Sequence, residues 1–225
     1  MYFFESDDYW AVFSEAGEIL EPIAGQETEF LSPESAVLWR SIRAENYRRS
    51  WLAARICAAT LWSRCINGTA HPPWNEVNIV SRNAEGKGCR PVFYFQNAAL
   101  DRDISLAHVD GAVLAVLAKR SGYRVGCDLV PLGSISSATE RFFFHEDETG
   151  FGANNGDKIW AVKEAAYKAG NENTPFAPRN WRVSSGQDGT FCCKNGEDSV
   201  PVQTFRHGKY VIAVAAVTQN CCPQK

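Results

Sequence analysis

The chain lacks the features of a membrane-spanning or exported protein. No apolar run approaches the roughly 20 residues that a helix needs to cross a bilayer. The segment from Met1 to Trp10 has no basic stretch followed by an apolar core, so it does not have the pattern of a secretory signal. From these absences we expect a soluble, cytoplasmic protein that does not bind a membrane.

The sequence also has no Cys-x-x-Cys pair, although it contains eight cysteines. Four of them form two adjacent pairs, Cys192-Cys193 and Cys221-Cys222, and the others are scattered. This spacing does not match a structural zinc site. Disulfides are the alternative, but in a cytoplasmic protein free thiols are expected.

The chain also has little excess of positive or negative charge, since its formal net charge is −3. A chain with so little net charge has no overall field that would attract nucleic acid, so a polyanionic ligand must be held by a local cluster of Lys and Arg. With 225 residues, 45% of them hydrophobic, the chain can build a real core in one or two domains.

A helix is predicted from Ile159 to Ala169, with N-cap candidates just before it and Gly170 at its end. At 3.6 residues per turn, one arc of this helix is apolar and is expected to pack, while the other is polar and aromatic. The packing arc comprises Ile159, Val162, Ala165, Ala166 and Ala169, and the opposite arc comprises Trp160, Lys163, Glu164, Tyr167 and Lys168.

A carboxylate lies near the end of an apolar run upstream of this helix. The stretch from Val125 to Leu129 is typical of a buried strand, and Asp128 within it is costly to bury unless a cation meets it. Mg²⁺ bound by Asp128 and Glu164 would meet that need, with phosphate and water oxygens as further ligands. Taken alone, Glu164 and Lys168 are more typical of a surface ion pair worth about 0.3–0.5 kcal/mol.

The chain reads as two similar halves, residues 1–120 and 121–225. In the first, Ser32-Pro33 is typical of a helix start, and Asp110-Gly111 predicts a hairpin between strands at 104–109 and 112–117. In the second, a strand, a helical stretch at 136–144 and the helix described above precede a β-meander. The predicted strands of the meander are 181–184, 190–193, 200–205 and 210–217.

Gly126-x-Asp128 and Trp160-x-x-Lys163-Glu164-x-x-x-Lys168 together resemble the signature of the 4'-phosphopantetheinyl transferases, in their long, surfactin-type branch. Glu164 follows Asp128 by 36 residues, a spacing similar to that of the family. The resemblance extends from about residue 31 to about residue 217. Further matching segments are Leu31-Ser32-Pro33-Glu34, Arg49-Ser50-Trp51-Leu52-Ala53-Ala54-Arg55, Gly86-Lys87, Ser105-Leu106-Ala107-His108 and Arg141-Phe142-Phe143.

The resemblance implies an α+β fold, a pseudo-dimer of two similar α+β halves with the ligand site in the cleft between them, and a monomeric protein. It also implies an activity. The phosphopantetheine arm of coenzyme A would be transferred to a serine of an apo acyl or peptidyl carrier protein, with Mg²⁺ or Mn²⁺, and adenosine 3',5'-bisphosphate would be released.

The resemblance further implies roles for individual residues. Asp128 and Glu164 would bind the metal, Glu164 would take the serine proton, and Lys168 would stabilise charge on the leaving phosphate. Without the resemblance, His108 is more typical of a hydrogen-bonded core residue, and the alternative for Arg49 is a solvated helix face. The contacts implied for coenzyme A are Arg49, Ser50, Lys87, His108, Lys163 and Lys168.

One departure from the family pattern favours an alternative function, and two others remove possible phosphate donors. Val130 stands where members of the long branch commonly carry a second acid, and Ala107 and Val109 replace hydroxyl residues beside His108. The alternative is a catalytically impaired module that binds coenzyme A or a carrier protein. A carrier would need an exposed apolar or basic surface, for which the candidates are Phe142, Phe143, Phe144 and Phe151.

Overall fold

The computed structural model describes residues 1–83, 85–149, 155–170, 175–186 and 190–219. Over these residues the protein is α+β, as predicted, with antiparallel sheets covered by helices. The chain forms two compact units, Met1–Ser121 and Gly122–Lys225. The expected pseudo-dimer stays a prediction. In the described ranges no helix has both the length and the hydropathy of a membrane span.

The first unit contains two sheets, with strand orders β1-β2-β7-β6 and β3-β4-β5. Short 3-10 turns at Glu21–Ile23, Glu27–Phe30 and Trp74–Glu76 and a π-helical turn at Ser63–Asn67 connect its elements. Its regular elements are β1 (Tyr2–Glu5), β2 (Tyr9–Glu15), α1 (Ala16–Leu20), α2 (Pro33–Ser41), α3 (Glu45–Trp62), β3 (Val77–Arg82), β4 (Gly88–Phe95), β5 (Ala98–Ala99), β6 (Ile104–Val109) and β7 (Ala112–Ala118).

Local sequence signals explain where these elements begin and turn. The hydroxyl of Ser32 accepts a hydrogen bond from the backbone N–H of Ser35 and caps α2, whose first residue is Pro33. Between β6 and β7 the chain turns at Asp110-Gly111, and Gly111 has a φ of +84°, which a side chain would strain. Helix start and hairpin are both as the sequence predicts.

Helix α3 forms the centre of the first core. It packs on β2, β6 and β7, and its residues from Ser50 to Ala59 are buried almost without interruption. Because α3 is buried around most of its circumference, the polar residues in this stretch must find partners inside the protein.

The second unit is one five-stranded antiparallel sheet, in the order β8-β12-β11-β10-β9, with helices on it. A 3-10 turn at Pro178–Asn180 precedes β9. Its elements are β8 (Tyr123–Pro131), α4 (Ser137–Phe143), α5 (Glu146–Thr149), α6 (Gly156–Gly170), β9 (Arg182–Ser185), β10 (Thr190–Asn195), β11 (Asp198–His207) and β12 (Tyr210–Thr218). The predicted strands and helices lie within about two residues of these bounds, apart from α6, which begins three residues before the predicted Ile159.

Helix α6 lies on β8, β11 and β12, and its apolar arc is buried in the second core as predicted. At the start of α6 the buried Asp157 accepts hydrogen bonds from the backbone N–H groups of Gly133 (2.5 Å) and Ile135 (2.9 Å). Lys163 differs from the prediction, because its side chain is buried although it was expected on the polar arc.

Candidate functional site

The glycine of the Gly-x-Asp motif sets how closely helix α6 approaches strand β8. A Cβ placed on Gly126 would lie 2.0 Å from the carbonyl oxygen of Ala165 and 2.4 Å from the backbone nitrogen of Ala169. Both atoms belong to the backbone of α6, so a side chain would push the helix off the strand. This contact brings the following acid, Asp128, next to the polar arc of the helix.

Asp128, Glu164 and Lys168 form one charged cluster at this crossing. The ammonium of Lys168 donates to Oδ1 of Asp128 at 2.9 Å and lies 3.3 Å from Oε2 of Glu164. It also donates to the carbonyl oxygen of Cys127 at 3.0 Å. The side chain of Asp128 is 9% exposed, whereas those of Glu164 and Lys168 are 26% and 29% exposed. The two sequence motifs therefore meet at a cluster that solvent reaches from the helix side.

The two carboxyl groups share a hydrogen bond and titrate as a pair. Burial, with the charge of Glu164 and the hydrogen bond between the two groups, raises the pKa of Asp128 to about 7 against the opposing pull of Lys168. Burial also acts to raise the pKa of Glu164, but the charge of Lys168 and the hydrogen bonds it accepts lower it overall. Below a pH of about 7, Asp128 therefore holds the shared proton and Glu164 is the ionised partner. Burial opposes the charge of Lys168, but both carboxylates raise its pKa.

The chemistry of this cluster fits a divalent cation. Two hard carboxyl groups lie close enough to share a proton, and a cation can replace that proton. With both acids ionised the cluster carries a net charge of about −1, so a divalent ion would leave it positive toward a diphosphate. Among the described residues no third acid, His or Cys completes a metal cluster. Ligand oxygens or waters would have to supply the remaining coordination.

Lys163 lies apart from this cluster, in a pocket of its own. Its ammonium is fully buried and donates to Oε2 of Glu148 at 2.7 Å and to the carbonyl oxygen of Pro178 at 3.1 Å. Glu148 in turn accepts from the backbone N–H groups of Val183 (2.6 Å) and His145 (2.7 Å). Burial lowers the pKa of Lys163, with Glu148 acting in the opposite direction.

This pair ties helices α5 and α6 and strand β9 together. The contact to coenzyme A predicted for Lys163 is therefore replaced by a structural role. Sequence reasoning missed Glu148, because it is one of three successive acids at 146–148 and nothing local marks it as the buried member.

The first unit brings together three of the predicted ligand contacts. The hydroxyl of Ser50 donates to the carbonyl oxygen of Val109 at 3.4 Å, which joins α3 to the end of β6. The exposed ring of His108 lies on that of Tyr47, with 5.5 Å between the centroids. Arg49, between these two residues of α3, is exposed. The core alternative for His108 does not hold, since its side chain reaches solvent.

Lys87 lies in a different part of the first unit. It follows the turn at Gly86; its side chain is 78% exposed, and its ammonium lies 3.6 Å from Oε2 of Glu85. The structure shows no contact of this side chain with Arg49, Ser50 or His108. Its role in ligand binding stays a prediction.

Val130 occupies the place of the second acid seen in the long branch of the family. Its side chain is buried in the second core, on the same face of β8 as Asp128 and against α6. An apolar residue here packs the helix instead of adding a metal ligand.

The predicted carrier contacts differ in exposure. Phe142 is 67% exposed, Phe143 contacts the ring of Trp160, and Phe144 is buried. Phe151 lies outside the described residues. Among the described ones only Phe142 offers a largely exposed ring, and Arg141 beside it is exposed as well.

No protein-family model matches the chain, and no curated protein is significantly similar to it. Among solved structures, the chain is similar to the 2.31 Å crystal structure of a holo-(acyl-carrier-protein) synthase from Bacillus anthracis strain Ames in complex with CoA (3',5'-ADP). The two are 12% identical, the match covers 51% of this chain and 96% of that chain, and the TM-score is 0.39. A match at this level is no argument for function.

Proposed function

We propose that this protein is a 4'-phosphopantetheinyl transferase, which moves the phosphopantetheine arm of coenzyme A to a serine of an apo acyl or peptidyl carrier protein. The observation that supports this most is the cluster of Asp128, Glu164 and Lys168. Two motifs far apart in the sequence place these side chains within hydrogen-bond reach of one another. We further expect the enzyme to act as a monomer in the cytoplasm.

The reaction needs a base for the serine proton. The serine oxygen would form a bond to the β-phosphorus of coenzyme A, while the bond from that phosphorus to the bridging oxygen breaks. Adenosine 3',5'-bisphosphate leaves with the electron pair. Glu164 suits the role of base, since its lowered pKa keeps it ionised at neutral pH, whereas the pKa of Asp128 is raised to about 7. Such a base is worth roughly 10²–10⁴-fold in rate.

The reaction also needs positive charge next to the phosphate that leaves with the adenosine 3',5'-bisphosphate. Lys168 remains cationic because two carboxyl groups surround it, and its partial exposure allows it to meet a ligand phosphate. Asp128 and Glu164 would hold Mg²⁺, or Mn²⁺, which would supply further positive charge to the pyrophosphate.

In the first unit, Arg49, Ser50 and His108 would contact the phosphates of coenzyme A. The exposure of Arg49 and His108 and the position of Ser50 at the end of β6 support this role. Lys87 would contact the nucleotide. We leave Lys163 out of the ligand contacts, because its ammonium is enclosed and already has acceptors.

The test is to incubate the protein with Mg²⁺, coenzyme A and a panel of apo carrier proteins, and to weigh each carrier by mass spectrometry. We expect a carrier to gain the mass of one phosphopantetheine. Glu164→Gln should lower the rate by at least about 10²-fold while the protein stays folded, because the amide cannot take the proton.

Glu197→Gln is the matched control, since Glu197 is an exposed acid elsewhere in the same unit, and it should leave the rate unchanged. An active Glu164→Gln enzyme would contradict the proposed role of Glu164. The buried Val130 favours the alternative, a binding module without activity. Coenzyme A binding without any mass gain across the panel would support that alternative.

A further inference from the structure

Trp160 is the first residue of the Trp-x-x-Lys-Glu-x-x-x-Lys motif, and the reaction described above gives it no role. Trp160, Glu164 and Lys168 follow one another at intervals of four residues on α6, so their side chains form one row along the polar arc of the helix. Side chains of a helix lean toward its N-terminus, which directs Glu164 toward Trp160 and Lys168 toward Glu164. Glu164 is therefore the middle member of this row.

Two donors of the row hold the carboxylate of Glu164, one from the turn before it and one from the turn after it. The indole N–H of Trp160 donates a hydrogen bond to this carboxylate. From the other side, the ammonium of Lys168 lies 3.3 Å from Oε2 of Glu164. A carboxylate held in this way has little freedom to rotate, because each rotation weakens one of the two contacts.

The indole of Trp160 is itself held by two rings from outside the helix. The ring of Phe143, at the end of α4, lies 5.6 Å from it between centroids, at an interplanar angle of 78°. The ring of Phe176, just before the 3-10 turn at Pro178–Asn180, lies 5.9 Å from it at 87°. Edge-to-face contacts of this kind are favourable for aromatic rings. The indole cannot turn its N–H away from Glu164 without losing one of them.

We propose that Trp160 is a positioning residue for the transfer reaction, and that its indole N–H orients the carboxylate of Glu164 to receive the serine proton. This inference rests on the proposed function, in which Glu164 is the base. Lys168 alone would draw the carboxylate along the helix toward itself, and the N–H of Trp160 opposes that pull. A general base must lie within about 2.6–3.2 Å of the oxygen whose proton it takes, so a small displacement lowers the rate.

Trp160→Phe keeps an aromatic ring between Phe143 and Phe176 but removes the N–H. We expect kcat for transfer to a carrier to fall by about tenfold, as for a displaced base, while KM for coenzyme A stays within about twofold. Trp181→Phe is the matched control, since Trp181 is a buried tryptophan of the same unit and its ring contacts that of Tyr167. It should keep the wild-type kcat. An unchanged kcat in Trp160→Phe, or an equal loss in Trp181→Phe, would overturn the proposal.

A double variant separates positioning from a loss of packing. In the Glu164→Gln background there is no base to orient, so adding Trp160→Phe should lower the residual rate by less than about twofold. A packing defect would lower the rate by the same factor in both backgrounds, and that result would also overturn the proposal.

A second measurement does not depend on activity. In the assigned ¹⁵N NMR spectrum of the wild type, the indole N–H signal of Trp160 reports on its acceptor, and Glu164→Gln replaces a charged acceptor with a neutral one. This signal should move more than any other indole signal in Glu164→Gln, and it should stay in place in Glu197→Gln.

The NMR result separates this inference from the proposed function. If the wild type transfers nothing, the proposed function fails, and a shifted Trp160 signal would still show that the indole holds Glu164. The same measurement decides if Trp160→Phe does not fold. A Trp160 signal that does not respond to Glu164→Gln would overturn the inference, whether or not the protein is active.

Discussion

Asp128 holds a proton at a pH where an ordinary aspartate has lost it. Burial under helix α6 and the neighbouring carboxyl of Glu164 both favour its neutral form, and Lys168 is not sufficient to reverse this. The proton keeps the cluster close to neutral while no ligand is bound. A cation and a diphosphate would change that balance, so the protonation state of Asp128 is tied to ligand binding.

Replacing Asp128 with Asn should change how stability depends on pH. In the wild type the folded state keeps the proton up to a pKa of about 7, whereas an unfolded aspartate loses it near 3.8. Between these values the folded state binds more protons, so a rise in pH lowers the free energy of unfolding. Asparagine cannot titrate, and the wild type should therefore lose stability relative to Asp128→Asn as pH rises from about 4 to about 7. Urea unfolding with a chelator at a series of pH values measures this.

Parallel stability curves for the two proteins would contradict the raised pKa of Asp128. The opposite slope would indicate that Lys168 dominates the site.

The crossing of α6 over β8 depends on a glycine. Ala165 and Ala169 present backbone atoms to Gly126, and neither can move without moving the helix that carries Glu164 and Lys168. The two residues of the Gly-x-Asp motif therefore have different roles. The glycine allows α6 to pack closely on β8, and the aspartate contacts the polar side chains of α6.

Gly126→Ala should destabilise the protein by about 1–3 kcal/mol, because the added methyl overlaps backbone atoms of α6. It should also lower transfer activity by displacing Glu164 relative to Asp128. Urea unfolding and the carrier mass assay measure the two effects. Gly88→Ala is the control, since a methyl there meets no atom within 4 Å. Equal stabilities of the two variants would contradict the close approach.

The buried ion pair of Lys163 and Glu148 holds α5 and β9 against α6. Lys163→Met leaves the buried carboxylate of Glu148 without a cation and should cost about 3–5 kcal/mol of unfolding free energy. Adding Glu148→Gln should recover part of this loss, because a neutral amide can still accept from a backbone N–H group. Chemical denaturation of both variants tests the pair. A stable Lys163→Met protein would favour the ligand-binding role that the sequence suggested.

At the scale of the whole molecule, the described residues include few side chains that could bind a metal. Asp128 and Glu164 supply the carboxylates, Val130 is apolar, and no larger cluster of acids, His or Cys occurs among the described residues. Metal binding should therefore depend on the oxygens that a substrate brings.

Calorimetric titration with Mg²⁺ should show weak binding to the free protein and at least about tenfold tighter binding when coenzyme A is present. Asp128→Asn should reduce the effect of coenzyme A, as it removes one of the two ligands. Tight Mg²⁺ binding in the absence of coenzyme A would contradict this account.

Local patterns were sufficient to predict the elements that carry the site. The apolar periodicity of 159–169, the helix start at Ser32-Pro33 and the Asp110-Gly111 turn all correspond to elements of the structure. Each of these features is caused by interactions between residues close together in the chain, so the local sequence is sufficient to predict it. Pairing of the two motifs could also be anticipated, through the family resemblance.

The burial of Lys163 is a feature that local patterns did not predict. By spacing it shares the polar arc with Glu164, yet the fold encloses it with Glu148. The sequence by itself determined α6, β8 and the charged residues they carry, since helix and strand periodicity are local. Only the tertiary structure decided that Lys168 meets Asp128 and that Lys163 is buried with Glu148, because burial and charge pairing depend on which distant segments pack together.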